Sequence, residues 1–237
     1  MLVNRLHPLL LVALFLIFVG GCAQSGSGDD LPALLPMPTT ERAVPLRAKS
    51  SLSAEIDALN PVVGRYPPKF NSDAQRARIY NHWSDLLADA RAYQAAEGGS
   101  EASYSYLAEL YRQGHNMDVL GSAEEAEENI EACIAAFPQS KPCHFSSIYF
   151  YLSIQPDFAD RAERSLIFLR AALAPKVDLN VERHFILLYL YQNKLPEAVA
   201  QMNYYLETFP NAPDRAQWEK VSKAAAEGTL EFEHSYQ

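Results

Sequence analysis

The chain has 237 residues, of which 49% are hydrophobic and 21% charged, and its formal net charge is −9 at pH 7. This composition is typical of a globular protein that can bury a core of ordinary size. The negative charge and the lack of a lysine or arginine cluster argue against electrostatic binding to nucleic acid or to anionic lipid surfaces.

Residues 1–21 have the three zones of a secretory signal peptide. Arg5 supplies the charge, an apolar run follows at residues 8–19, and two glycines precede Cys22. The apolar run is shorter than the ~20 residues that a membrane-spanning helix needs. The ending resembles a bacterial lipobox, which implies that Cys22 is acylated and becomes the first residue of the mature chain. An ordinary signal peptide or a membrane-anchored N-terminus is the alternative.

The residue after Cys22 indicates which bacterial membrane a lipoprotein of this kind would occupy. It is Ala23, whereas in diderm bacteria an aspartate there tends to retain lipoproteins in the inner membrane. The resemblance therefore implies an outer-membrane lipoprotein that faces the periplasm. Several acyl chains, at ~0.8 kcal/mol per buried methylene, would make this attachment effectively permanent.

Residues 22–71 are predicted to form a flexible, lipid-anchored linker. A Ser-Gly run at residues 25–28 is typical of flexible linkers. Seven prolines between residues 32 and 68 argue against a long helix and leave room for a short one over residues 53–59. The rest of the segment is expected to be disordered or to lie over the domain, and the helical body is expected to begin at Ser72.

Three stretches that start at residues 124, 160 and 196 align without a gap. Each has an alanine at its third position and side chains four and seven residues later that share one helix face. A proline ends the first and third copies and comes one residue later in the middle copy. The alanines are 36 residues apart (162 − 126 and 198 − 162), a period typical of helical repeat arrays. The signature residues are Ala126, Ala162, Ala198, Pro138 and Pro210, with Ile130, Leu166 and Met202, then Cys133, Leu169 and Tyr205, on the same face.

This pattern resembles the tetratricopeptide repeat (TPR), a helix pair whose first helix carries a large, a small and an aromatic residue at fixed positions. The resemblance covers residues 101–210. It implies an all-α fold over residues 72–228: a short α-solenoid of stacked antiparallel helix pairs, with a leading helix, a C-terminal capping helix and a tail at 229–237. The three trios are Leu107, Ala108 and Tyr111; Tyr149, Phe150 and Ser153; and Phe185, Ile186 and Tyr189.

The two remaining cysteines lie five residues before and five residues after Pro138. If helices joined at this turn run antiparallel, Cys133 and Cys143 come side by side, which suits a disulfide in an oxidising compartment. The alternative is a pair of buried free thiols. The spacing excludes a Cys-x-x-Cys redox motif.

An insertion distinguishes the first repeat. Tyr111 precedes its alanine by 15 residues (126 − 111), whereas Tyr189 precedes its alanine by 9 (198 − 189). The extra residues fall within 112–122, where His115 and Asp118 offer a catalytic or metal-binding alternative. One histidine with one aspartate provides too few ligands for zinc, so we expect caps, glycine turns and hydrogen bonds here instead. No metal and no cofactor are predicted.

The resemblance implies that the first helices of the pairs line a concave binding surface. The sequence lacks the short catalytic motifs of common hydrolases and phosphate-binding enzymes. We therefore expect a non-enzymatic scaffold that binds an envelope protein or peptide in assembly, secretion or transport. A small-ligand-binding accessory component of a transporter is the alternative, and an enzyme that uses His115 is a further one. The residues expected to be exposed on the concave surface are Glu109, Arg112, His144, Ser147, Tyr151, Asn180, Arg183 and Tyr191.

Overall fold

The structure is a computed structural model that describes residues 34–38, 49–154 and 158–230. Over these ranges the chain forms nine α-helices and no strand apart from an isolated bridge between Leu35 and Val119. The predicted all-α fold class is therefore confirmed. The helices are α1 Lys49–Val63, α2 Asp73–Glu97, α3 Glu101–Asn116, α4 Ser122–Ala136, α5 Lys141–Ser153, α6 Ala159–Leu173, α7 Leu179–Tyr191, α8 Leu195–Thr208 and α9 Arg215–Ala226.

The helices pack as consecutive pairs. The most extensive interfaces join α3 to α4, α5 to α6 and α7 to α8. Smaller interfaces join α4 to α5 and α6 to α7, so that each pair continues into the next. The first helices also touch one another in order, α1 to α3, α3 to α5 and α5 to α7.

The second helix of each repeated pair buries the face that the sequence predicts. Ala126, Ala162 and Ala198 are completely buried, and the side chains four and seven residues after them are at most 2% exposed. Phe137 and Phe209, which end α4 and α8, have nearly the same backbone angles, with φ of −131° and −120°. A proline follows each of them, and proline disfavours helical geometry in the residue before it.

The first helices repeat in a register measured from their N-terminal caps. Ser100, Ser140 and Asp178 cap α3, α5 and α7, and a tyrosine follows each cap by 11 residues. The three tyrosines are Tyr111, Tyr151 and Tyr189.

The trio predicted for the middle pair, Tyr149, Phe150 and Ser153, is therefore wrong. Tyr149 is 39% exposed, whereas Ser147, Ile148 and Tyr151 fill the three equivalent buried positions. The error has a simple cause, because the prediction counted backwards from the alanines. The distance from cap to alanine differs among the pairs, at 26, 22 and 20 residues (126 − 100, 162 − 140 and 198 − 178).

The segment predicted to be a flexible linker contains helix α1. This helix includes the short one allowed at residues 53–59, and the linker prediction is wrong for the remainder of residues 49–63. Its apolar side chains recur at helical spacing, and Leu52, Ile56, Leu59 and Val63 are at most 3% exposed. Pro61 lies in the last turn, where the helix ends two residues later. Helix α1 packs against α2 and α3. The predicted leading helix, α2, is therefore preceded by another packed helix.

Helix α2 begins where the helical body was predicted to begin, and capping residues define both of its ends. Ser72 caps its start, where the hydroxyl oxygen accepts a hydrogen bond from the Gln75 amide at 3.2 Å. Gly98 ends it in the left-handed region, with φ of 65°, which glycine adopts without steric cost. In the middle of the helix the Trp83 indole donates to the Leu110 carbonyl oxygen at 2.7 Å, which joins α2 to α3.

The predicted capping helix is α9. Trp218 is 3% exposed and Val221 is completely buried. Asp214, just before this helix, accepts hydrogen bonds from the Trp218 indole at 3.0 Å and from the Tyr205 hydroxyl at 2.7 Å. One carboxylate therefore joins α9 to α8, and the apolar side of α9 covers the end of the core.

The predicted disulfide is present. The sulfur atoms of Cys133 and Cys143 are 2.01 Å apart, and their Cα atoms are 5.7 Å apart. The bond joins α4 to α5, and so the second helix of one pair to the first helix of the next.

The N-terminal predictions lie outside the described residues. This holds for the signal peptide at 1–21 and for the lipid attachment at Cys22, and most of the tail at 229–237 is also outside them. Among the helices of the described ranges, none has the length and apolar character that a membrane span requires.

The buried alanines allow a direct test of the repeat register. Ala162→Glu should lower the free energy of unfolding by about 3 kcal/mol or more, because a charged side chain would enter a fully buried position. The matched control is Ala171→Glu on the exposed side of the same helix, which should change stability by about 0.5 kcal/mol at most. Urea unfolding followed by circular dichroism measures both values. Equal stability of the two variants would contradict the register.

Candidate binding surface on the first helices

Three of the eight predicted surface residues are buried. His144, Ser147 and Tyr151 are 8%, 1% and 0% exposed, so their prediction as exposed partner-binding residues is wrong. All three belong to α5, where the register was misassigned. Of the other five, Asn180 is exposed and four are half-buried, and the binding role of all five stays a prediction; the half-buried residues are Glu109, Arg112, Arg183 and Tyr191.

His144 joins α5 to α6. Its Nε2 atom lies 3.1 Å from the Pro138 carbonyl oxygen, and its Nδ1 atom lies 3.0 Å from the Ser165 hydroxyl. Because the carbonyl can only accept, Nε2 carries a proton, and the Ser165 hydroxyl is the hydrogen-bond partner of Nδ1. The ring also stacks on Phe168 at 4.0 Å. These contacts leave the imidazole no free nitrogen for a ligand.

Tyr151 lies in a polar cluster formed by α4, α5 and α6. Its hydroxyl donates to a Glu131 carboxylate oxygen at 2.6 Å and accepts from Arg161 at 2.7 Å. Arg161 also forms an ion pair with Glu127. Burial, and next the bond to Glu131, raise the pKa of the Tyr151 phenol above its ordinary value. Tyr151 therefore stabilises the helix packing.

Arg112 and Glu109 hold the end of α1. The guanidinium of Arg112 makes two bonds to the Glu109 carboxylate, at 2.7 and 2.8 Å, and donates a third to the Gly64 carbonyl oxygen at 2.8 Å. One turn later, the Asn116 amide donates to the Val63 carbonyl oxygen at 2.9 Å. The last carbonyls of a helix lack partners within the helix. Arg112 and Asn116 supply them here, so Arg112 has a structural role beyond the predicted one.

The predicted surface residue Asn180 lies in the first turn of α7, just after its cap. The cap is Asp178, whose carboxylate accepts from the Asn180 and Val181 amides at 2.9 and 3.2 Å. The exposed Asn180 side chain instead accepts from Arg183 at 2.8 Å. Arg183 also lies 3.5 Å from the Asp214 carboxylate. Arg183 is thereby held at the surface, with 22% of its side chain exposed.

Tyr149 is the surface residue that the prediction missed. It is 39% exposed, and its ring meets the His184 ring edge-on at a centroid distance of 4.9 Å. Phe145, one turn earlier on α5, lies 6.4 Å from it. Counting from the caps would have found it, because Tyr149 and Glu109 both follow their caps by nine residues (149 − 140 and 109 − 100).

These side chains form a continuous surface, which we call the first-helix surface. A cavity of about 40 Å³ lies between α3 and α5, bounded by Glu109, Arg112 and Tyr149 among others. Charges on α3 and α7 act on Tyr149 from both sides, although burial is the main cause that raises the pKa of its phenol. The first-helix surface consists of Glu109, Arg112, Phe145, Ser146, Tyr149 and Arg183.

His184 supports this surface from below. It is 5% exposed, and its Nδ1 atom lies 2.5 Å from the Asn180 carbonyl oxygen. Burial lowers the pKa of the imidazole to about 4. At neutral pH the ring is therefore uncharged and its Nδ1 atom donates to the carbonyl oxygen.

The insertion at residues 112–122 has a structural use. Gly114 is helical, and a Cβ atom there would lie 2.6 Å from the Ser122 hydroxyl and from the Trp83 ring. Its small size therefore lets three helices meet, which corrects the prediction that its backbone angles matter. Gly121 does have a positive φ of 78° and is itself the cap of α4, so the expected Asn or Asp cap is absent.

His115, in this insertion, is half-buried, and burial lowers the pKa of its imidazole. Asp118, three residues later, acts in the opposite direction on this pKa. Across the described residues no group of three His, Cys, Asp or Glu side chains could hold a metal ion.

A separate pocket of about 360 Å³ lies where α6 connects to α7. Its inner wall is Glu182, which is 2% exposed and forms an ion pair with Arg170. Gln201 donates to the same carboxylate at 2.7 Å. Lys176 and Asp178 add one charge of each sign to the lining. The charges in the lining therefore nearly cancel, and apolar side chains such as Leu173 and Val177 complete it.

Comparisons with known proteins identify no relative. No protein-family model matches the chain, and no curated protein or solved structure shows a significant similarity to it.

Removal of the Arg112 side chain should loosen α1. Arg112→Ala deletes the donor to the Gly64 carbonyl and leaves Glu109 without its ion pair, so the free energy of unfolding should fall by about 2 kcal/mol. Amide hydrogen exchange in α1 should also accelerate. Arg164→Ala is the control, because that side chain is 70% exposed. An α1 that keeps its protection in Arg112→Ala would exclude the structural role.

Proposed function

We propose that the chain is a TPR-like α-solenoid that binds a partner protein along the first-helix surface, without catalysis of its own. In this proposal the helix pairs stack in sequence order and the row of α1, α3, α5 and α7 forms the inner side. The partner is an extended segment or a helix of another envelope protein. The chain itself is a lipoprotein of the outer membrane that faces the periplasm and acts in envelope assembly, secretion or transport.

Two features support the TPR-like arrangement. The three alanines that recur every 36 residues are all completely buried, together with the positions four and seven residues later. In addition, α3, α5 and α7 contact one another in order, as the first helices of stacked pairs do.

The observation that carries the binding proposal is the setting of Tyr149. Its ring is partly exposed between an ion pair on α3 and Arg183 on α7. Tyrosine and arginine are enriched at the centres of protein interfaces, since they combine a large contact area with a polar group. The neighbouring charges are already positioned by contacts within the protein, which lowers the entropic cost of binding.

The pocket beside Glu182 supports a second candidate function, the binding of a small ligand. Its volume of about 360 Å³ lies within the range of small-ligand sites. A role as a ligand-binding accessory component of a transporter would use this pocket. It requires no exposed aromatic residue on the first-helix surface, so the two functions can be separated by substitution at Tyr149.

Photocrosslinking in intact cells tests the binding proposal. A photoreactive amino acid at Tyr149 should give one discrete adduct, and Arg183→Glu in the same chain should reduce the adduct several-fold, because Arg183 lies on the same surface. The matched control places the photoreactive residue at Tyr204, which is 43% exposed but lies in the pocket on α8. A discrete adduct from Tyr204 alone would place the partner on the side of the molecule that carries the pocket. That result would contradict binding along the first-helix surface.

The membrane anchor has its own test. Cys22→Ser removes the acylated sulfur, so the chain should move from the membrane fraction to the soluble periplasmic fraction. Fractionation with immunodetection measures the change, and incorporation of labelled palmitate provides the control for acylation. A variant that stays with the membranes would contradict the lipoprotein proposal.

A further inference from the structure

Residues 34–38, which we call the strap, lie against the connection between α3 and α4. The Leu35 amide donates to the Asp118 carbonyl oxygen at 3.0 Å, and the Leu120 amide donates to the Leu35 carbonyl oxygen at 3.0 Å. Together these bonds make a parallel bridge to Val119. The connection belongs to the insertion that lengthens the first repeated pair. The insertion thus presents backbone donors and acceptors to an extended segment, as the edge of a sheet does.

Helix α2 binds two further carbonyls of the strap. The Tyr80 hydroxyl donates to the Pro36 carbonyl oxygen at 2.5 Å, and the Arg91 guanidinium donates to the Pro38 carbonyl oxygen at 3.1 Å. Arg91 is positioned for this by a bond of 3.1 Å to the Tyr111 hydroxyl. All four hydrogen bonds to the strap therefore engage its backbone.

The strap side chains alternate in burial from Leu34 to Met37. Leu34 is 63% exposed, Leu35 is half-buried, Pro36 is exposed and Met37 is half-buried. Pro38, the last residue of the strap, is also half-buried. Leu35 and Met37 pack against the hydrophobic core. Over residues 34–37 this period of two is that of an extended chain, which directs alternate side chains to one face.

The prolines of the strap fit this setting. Pro36 and Pro38 contribute carbonyl oxygens to the contacts and have no backbone N–H that would need a partner. Their fixed φ also favours an extended backbone, which lowers the entropy lost on binding. The surface formed by Tyr80, Arg91 and residues 118–120, which we call the strap cleft, thus accepts an apolar-Pro-apolar-Pro segment.

We propose that the strap cleft is a binding site for an extended apolar-Pro-apolar-Pro segment of a partner protein, and that the strap occupies it in cis. Any segment with the same backbone conformation and alternating pattern can make the four backbone bonds. Because the strap belongs to the same chain, its effective concentration at the cleft is on the order of millimolar. A partner segment therefore binds well only when the strap is displaced. The site uses no residue of the first-helix surface and does not depend on the function proposed for it.

A competition experiment tests the proposal. The probe is a fluorescein-labelled peptide with the sequence of residues 32–40, and its binding to the full chain is measured by fluorescence anisotropy. In the double variant Leu35→Asp/Met37→Asp the strap can no longer pack against the core, so the cleft opens. This variant should bind the peptide saturably and about tenfold or more tightly than the unsubstituted chain. A peptide with the same two aspartates should not bind.

The cleft residues provide the specificity control. Added to the double variant, Arg91→Ala should weaken peptide binding about fivefold or more, because it removes the donor to the second proline carbonyl. Arg164→Ala, at an exposed position on α6, should leave the affinity unchanged.

Three results would overturn the proposal. They are a folded double variant without saturable binding, equal affinities of the double variant and the unsubstituted chain, and equal effects of Arg91→Ala and Arg164→Ala. Should the double variant lose its helical circular dichroism, Met37→Ala replaces it, since that change only shortens one half-buried side chain. The Met37→Ala chain must then bind the labelled peptide more tightly than the unsubstituted chain, and its failure to do so would equally refute the site.

Discussion

The second helices of the repeated pairs meet their neighbours through small side chains. Ala126, Ala162 and Ala198 are completely buried, and each is a small residue on its helix's inner face. Protein interiors are close-packed, so a helix can approach its neighbour closely only where the intervening side chain is small. Gly114 on α3 likewise allows α2 and α4 to approach closely, since a Cβ atom there would lie 2.6 Å from atoms of both neighbouring helices. The stacking of the pairs depends on these close approaches.

Polar residues make the otherwise similar interfaces different. The residue three positions after each alanine points to the preceding part of the chain: Asn129 accepts from Gln94, Ser165 binds His144 and Gln201 donates to Glu182. A buried polar group is costly without its partner. Each helix therefore pairs favourably with the neighbour that carries the complementary group, and we infer that these bonds help to set the order of the pairs.

Because buried polar groups need hydrogen-bond partners, fewer polar side chains are available on the first-helix surface than the sequence suggests. Polar side chains on α5 that looked available, such as His144 and Tyr151, satisfy partners on α4 and α6. Arg112 completes the hydrogen bonding of α1. In the proposed binding modes a partner would contact partly exposed aromatic side chains such as Tyr149, or the backbone groups of the strap cleft.

The sequence by itself determined the features that depend on neighbouring residues. Helical spacing of apolar side chains, prolines after α4 and α8, and two cysteines on either side of a turn predicted the all-α fold, the buried alanine face and the disulfide. These patterns are local, because a helix places residues three, four and seven apart on one side whatever its surroundings. The N-terminal anchor was predicted from the same kind of local pattern and stays a prediction.

The tertiary structure decided what each first helix exposes and what covers the start of the chain. The distance from the cap of α5 to Ala162 on α6 differs from that in the other pairs, and similarity between the repeats did not reveal this. Counting back from Ala162 therefore assigned the wrong residues to the exposed side of α5. Helix α1 is longer than the short helix allowed at residues 53–59, and the burial of Leu52, Ile56, Leu59 and Val63 requires α2 and α3, which no local pattern shows. The bridge between Leu35 and Val119 joins residues far apart in the chain, and such a contact has no local pattern because it forms only once the helices have packed.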